Sequence, residues 1–278
     1  MNFRDLVLGH LANYKSRVLN IAEPGIFRFQ GEDIEKLHIL PIGRERENVL
    51  ALYRDQYYQS EGKVKLHRYF HHLNSSQALC INLFYPLKAA NHLDWFSEYL
   101  NLEVGSVQEA TFEYESTLET TLRSNREVRK TSFDFHIQGT ESEIFAEVKY
   151  TEDGFGSATA DQEHLDKFND TYLPLVEGSQ YLAQQCKDRT FFLDHYQILR
   201  NLVHISECSY VIALFPFANI AVRKEVEFAR DLVLTPAGRE RFRIVDLEDF
   251  VAFLEEKGRG TQLGIYYGEF RAKYLPSG

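Results

Sequence analysis

Asp134, Glu147 and Lys149 are the residues whose types and spacing point to chemistry. Glu147 and Lys149 stand two apart in Glu143–Tyr150 (EIFAEVKY), which alternates like a β-strand, so their side chains leave one face while Ala146 and Val148 leave the other for the core. Ser132–Gln138 (SFDFHIQ) alternates too, with Asp134 and His136 on one face and Phe133 and Phe135 on the core side. Gln138-Gly139-Thr140 supplies a turn, so the two segments read as a hairpin that brings Asp134 to Glu147 and Lys149. Two carboxylates suit a hard cation, Mg²⁺ or Mn²⁺, with Asp134 and Glu147 as its ligands. Such an ion lowers the pKa of a bound water and stabilises charge developing on a phosphate. Lys149 beside it can orient or deprotonate the attacking water, or stabilise the transition-state charge, and a nearby metal would depress its pKa. A salt-bridged Asp, Glu and Lys on an exposed sheet face would give the same pattern.

The elements that must hold these residues follow from periodicity. A helix is predicted over residues 1–21, stopped near Pro24-Gly25, and another over 46–59. Ser75 or Ser76 caps a helix from Gln77 to Tyr85 that Pro86 ends, and a further helix covers Asn91–Leu100. The period then changes to 2 at Val107–Glu115 (VQEATFEYE), ahead of the two strands above. A polar loop at 151–162 leads to helical patterns at 161–168, 174–187 and 194–206. Tyr210–Phe215 reads as a fully buried strand, 219–232 as a helix, Arg243–Val245 as a strand, and 246–256 and 262–274 as helices. The order is that of an α/β protein with a central mixed sheet flanked by helices. Residues 1–60 read as a helical N-terminal extension packed on the core, and 61–278 as the main domain with added C-terminal helices.

Composition adds bounds. With 44% hydrophobic and 26% charged residues the chain reads as globular, and its 21 Phe and 16 Tyr can fill a core without disulfides. Cys80, Cys186 and Cys208 form no CxxC pair and read as buried thiols of a reducing compartment. The first 25 residues carry charges that suit an amphipathic helix rather than a signal peptide, and no apolar run approaches a bilayer span, so a cytoplasmic protein without membrane contact is expected. The net charge of −10 counts mildly against nucleic acid, although bound cations reverse the local field of an acidic site. Local basic clusters occur at Lys63, Lys65, His67 and Arg68, at Arg123, Arg126, Arg129 and Lys130, and at Arg239, Arg241 and Arg243; solvated faces would look alike. His67 and His71 have the i, i+4 spacing of a zinc helix, but no HExxH and no third ligand follow. No P-loop, GxGxxG or GxSxG is present.

Asp134, twelve residues, then Glu147-Val148-Lys149 resembles the PD-(D/E)XK phosphodiesterase motif, with Phe133 where the name-giving Pro stands. The segments LHRYFHHLNSSQALCINLFYPL, the ExK strand and HYQILRNLVHI together resemble a bacterial group of restriction-endonuclease-like proteins, over about residues 37–217. The resemblance implies a restriction-endonuclease-like core, an Mg²⁺-dependent endonuclease with Asp134, Glu147 and Lys149 at its centre, and DNA as substrate ahead of RNA. It also implies a further acidic ligand, for which Glu113 and Glu115 on the first strand, or Gln77 as a neutral substitute, are the candidates. Gln197 and Arg200 share a helix face, where Arg200 suits a phosphate contact, and the Arg123, Arg126, Arg129 and Lys130 loop suits the phosphate backbone. A homodimer would match a two-fold symmetric duplex. The alternatives are a repair or defence nuclease needing a partner, a catalytically silent nucleic-acid-binding protein of the same fold, and an unrelated α/β domain, which an all-parallel sheet would reveal.

Overall fold

A computed structural model describes residues 2–120 and 130–276. In chain order the elements are α1 (Phe3–Arg17), β1 (Gly25–Phe29), β2 (Glu32–Lys36), α2 (Ala51–Ser60), α3 (Ser76–Ala89), α4 (Asp94–Leu100), β3 (Val107–Glu115), β4 (Ser132–Gly139) and β5 (Glu143–Val148). Then come α5 (Gln162–Lys167), α6 (Leu173–Gly178), α7 (Arg189–Asp194), α8 (Tyr196–Leu202), β6 (Ser209–Phe215), α9 (Ile220–Phe228), α10 (Pro236–Arg239), β7 (Phe242–Asp246), α11 (Leu247–Lys257) and α12 (Gln262–Tyr274).

The chain divides into two compact units: Met1–Tyr99 with Phe215–Asn219 and Asp246–Gly278, and Leu100–Leu214 with Ile220–Val245. The boundary anticipated at residue 60 falls inside the first. That N-terminal stretch is not helical throughout, because β1 and β2 form an antiparallel hairpin. Most of the hairpin's residues are exposed or half-buried on both faces, so it lacks the alternation that marks a strand in sequence.

In the first unit, α3 is buried along its length and rests on an aromatic core, with Phe84 against Phe96 and both against Phe250. The helix does not end at Pro86 but runs through it to Ala89. Proline at that position removes the N–H that would bond the carbonyl of Asn82 four residues back. The Tyr266 hydroxyl donates to the Asn82 carbonyl oxygen instead, at 2.8 Å. Tyr266→Phe is therefore expected to cost about 1–3 kcal/mol, the penalty for an orphaned buried acceptor. In a Pro86→Ala background, where the helix supplies its own N–H, the same change costs less. Urea unfolding of the four proteins measures this difference.

The second unit is built on a five-stranded sheet of order β3-β4-β5-β6-β7. β3 pairs antiparallel with β4, β4 antiparallel with β5, and β5 parallel with β6. The sheet is thus mixed and carries the anticipated hairpin at β4–β5, and the fold is α/β with a restriction-endonuclease-like arrangement of strands and helices. Other segments are shorter than periodicity indicates. The pattern over 174–187 splits into α6, which stops at Gly178, and a single 3₁₀ turn at Gln184–Lys187. Leu182 between them makes a β-bridge to Leu234 that a helix could not make. Cys80 and Cys186 are buried as anticipated, but Cys208 is exposed, since it sits in the turn closed by the Ser206–Ser209 bridge. No described helix is long and apolar enough to cross a membrane.

Candidate active site

The β4–β5 ladder begins at Gln138↔Glu143 and stops at Phe135↔Ala146. Beyond that point the next N–H of β5 on this side, that of Val148, is bonded by the Asp134 carboxylate through Oδ2 at 2.7 Å. A side chain thus replaces backbone where the two strands part. Glu147 and Lys149 flank Val148, and the Lys149 Nζ lies 3.0 Å from the Glu147 Oε1. Both residues are almost fully buried, while Ala146 and Val148 are buried on the other side. Phe133 and Phe135 are buried too, but in different aromatic groups: Phe135 against Phe112, Phe133 against Phe145 and His204.

α8 completes the group. Gln197 donates from Nε2 to the Glu147 Oε1 at 3.2 Å. The same oxygen therefore receives Gln197 and Lys149, and among the described residues no hydrogen bond falls on Glu147 Oε2 or Asp134 Oδ1. Dense packing around the Asp134 carboxyl raises its pKa well above the usual carboxylate range, and the charges of Glu147 and Glu113 push it further. Burial works to lower the Lys149 pKa, but the carboxylates of Glu147, Glu152 and Asp134 outweigh it and hold the ammonium's pKa above its usual value.

The supporting candidates separate. Glu113 is close enough to act on Asp134, whereas Glu115 lies exposed opposite Ser132. The left-handed backbone of Glu113, at φ 52°, interrupts the alternation that would have put both on one face. Gln77 belongs to the first unit, where its Oε1 accepts from the His67 N–H at 2.7 Å and its Nε2 donates to the Lys65 carbonyl at 3.0 Å. Arg200 turns from Gln197's contacts to a buried polar group. Its Nε donates to the Thr131 hydroxyl oxygen at 3.1 Å, and its guanidinium lies 5.0 Å over the Tyr196 ring. Thr131 in turn donates its N–H to Glu119 at 3.1 Å and also bonds it through the hydroxyl. Lys130 is half-buried, and Arg123, Arg126 and Arg129 lie outside the described residues. His67 and His71 sit in irregular turns rather than a helix, so their spacing makes no zinc pair. Among the described residues no three His, Cys, Asp or Glu are arranged to hold a metal ion.

A family model described as Restriction Endonuclease associating with ARP (REase-ARP) matches residues 8–275. The chain belongs to this family of restriction endonucleases. No curated protein and no solved structure matches it.

Membership of REase-ARP makes the chain a nuclease, and one contact near its candidate centre has no counterpart in the sequence pattern. The loop after β5 is latched by Glu225 of α9, whose Oε2 accepts from the Phe155 N–H at 2.8 Å. The Phe155 ring lies 5.1 Å from the Lys149 Nζ, so the latch fixes one wall around the ammonium. Gly154 makes the approach feasible, with φ 143° and a would-be Cβ only 1.9 Å from the Glu225 Oε1. Gly154→Ala in this REase-ARP chain is expected to cost about 1–3 kcal/mol of strain and to break the latch. Thermal melting reads the strain, and a cleavage assay reads the loosened wall.

Proposed function

We propose that the chain is a PD-(D/E)XK nuclease that hydrolyses DNA phosphodiesters with Mg²⁺ or Mn²⁺ at Asp134 and Glu147, assisted by Lys149. The observation that carries this reading is the meeting of the three side chains where the β4–β5 ladder stops. The donor set fits a hard divalent cation. Asp134 Oδ1 and Glu147 Oε2 are oxygens without a hydrogen bond among the described residues, and the repulsion that raises the Asp134 pKa is what a cation would relieve. Two protein carboxylates suffice for Mg²⁺, which keeps waters and takes phosphate oxygens for its remaining positions.

When bound, the ion supplies an activated water and a counter-charge for the scissile phosphate. Lys149 holds a positive charge against Glu147 and presents it to the charge that develops on phosphate. Gln197 donates to the Glu147 Oε1 beside Lys149 and so fixes the carboxylate's rotation. Val148 does the same for Asp134 through its N–H. The family's description names an association with ARP, which favours a nuclease that works with a partner over one that acts alone.

Supercoiled plasmid incubated with the protein and Mg²⁺ or Mn²⁺, alone or with its ARP partner, is expected to become nicked or linear, and EDTA to prevent it. Plasmid left intact under all these conditions would overturn the reading.

A further inference from the structure

The first unit contains a segment whose charge and shape the catalytic chemistry does not use. The chain has 41 acidic residues in 278, yet none between Glu61 and Asp94. Within this stretch Lys63, Lys65 and Arg68 are exposed, and none makes an ion pair among the described residues. Glu61, at its edge, is held by Lys88 at 2.5 Å.

The segment is irregular but firmly held. Asn48, fully buried, donates from Nδ2 to the carbonyls of Phe70 and His72 at 2.6 and 2.7 Å. The Gln77 amide, also buried, grips the His67 N–H and the Lys65 carbonyl. The N–H of Leu40 donates to the His71 carbonyl at 3.0 Å, and that of Leu73 to the His38 carbonyl at 3.1 Å. The Arg68 guanidinium rests 4.3 Å over the Tyr69 ring, which limits its travel. Two buried amides thus hold a loop that is neither helix nor strand, and its cations project from a fixed backbone. In a chain of net charge −10, this stretch carries no carboxylate of its own to neutralise its cations.

We propose that Lys63, Lys65 and Arg68 form a second DNA-binding surface that takes the phosphate backbone of duplex DNA. The inference rests on the DNA nuclease reading above. The partner is the phosphate backbone rather than a base, because the Tyr69 ring is already covered by Arg68 and by the rings of His67 and His72. Contacts of this kind anchor the duplex without reading its sequence.

The test is the salt dependence of binding. Fluorescence anisotropy with a short labelled duplex, without divalent metal so that nothing is cut, compares the wild type with Lys63→Gln/Lys65→Gln/Arg68→Gln and with the charge-keeping Lys63→Arg/Lys65→Arg/Arg68→Lys. Each phosphate contact contributes about 0.9 to the slope of log K against log salt, so the neutral variant is expected to lose about 2–3 from that slope. The charge-keeping variant retains it, and thermal melting is expected to be the same for all three. A slope unchanged in the neutral variant, with the wild type binding and cutting DNA, overturns this inference alone. A wild type that binds no duplex DNA overturns it together with the DNA reading.

Discussion

Lys149→Met is expected to reduce cleavage by about 10²–10⁴-fold, the range for losing a positioned charge or proton-transfer group. Methionine keeps an unbranched side chain, one atom shorter, and removes its charge. The change leaves the buried Glu147 carboxylate with Gln197 but without its cation. Removing one partner of a buried pair costs about 3–5 kcal/mol. Activity and metal-free stability therefore fall together. A divalent ion at Asp134 and Glu147 replaces the missing positive charge, so Mn²⁺ is expected to restore part of the melting temperature and none of the rate. Single-turnover cleavage and melting with and without Mn²⁺ check both halves. A variant that melts like the wild type in EDTA would show that the pair carries no such burden.

Asp134→Asn is expected to abolish cleavage, but with the opposite effect on the metal-free fold. Burial and the charges of Glu147 and Glu113 raise the Asp134 pKa. The stability tied to a raised pKa is present below the unfolded-state value, about 3.9 for Asp, and is lost as pH rises through the folded value. At neutral pH in EDTA the wild type therefore bears a cost for burying this carboxyl beside Glu147 and Glu113, which the amide lacks. The Asn side chain keeps an oxygen for the Val148 N–H. The variant should melt higher than the wild type in EDTA at pH 7, by about 2–4 °C for each kcal/mol relieved. Its advantage should fade as the pH falls towards the unfolded-state value. Adding Mn²⁺ should raise the wild type and leave the variant where it was. A melting difference that does not change with pH would contradict this view of Asp134.

Period-2 alternation revealed the three strands of the hairpin region and placed Glu147 and Lys149 on one side, because a strand's geometry is local. The i, i+3 spacing of Gln197 and Arg200 on α8 likewise marked Gln197. Arg200, on the same helix face, could not be assigned so simply, because Thr131 and the Tyr196 and Tyr172 rings that receive it are set by tertiary packing. Glu225 had no signal at all: its partner Phe155 is 70 residues away, and neither belongs to a motif. The β1–β2 hairpin escaped notice because it has no buried face to impose alternation. Pro86 misled for a different reason. The rule that proline ends a helix assumes the freed carbonyl has no other donor, and Tyr266, 184 residues from Asn82, supplies one.

The most direct test of the centre is the single-turnover cleavage of DNA by the wild type and Glu147→Gln, purified in parallel and given the same Mg²⁺. Glutamine preserves the shape around Lys149 and Gln197 while removing the charge that would bind the metal. The expected result is metal-dependent cleavage by the wild type and none by the variant, with both proteins folded. Equal cleavage by Glu147→Gln would contradict the assignment and place the nuclease chemistry elsewhere in the chain.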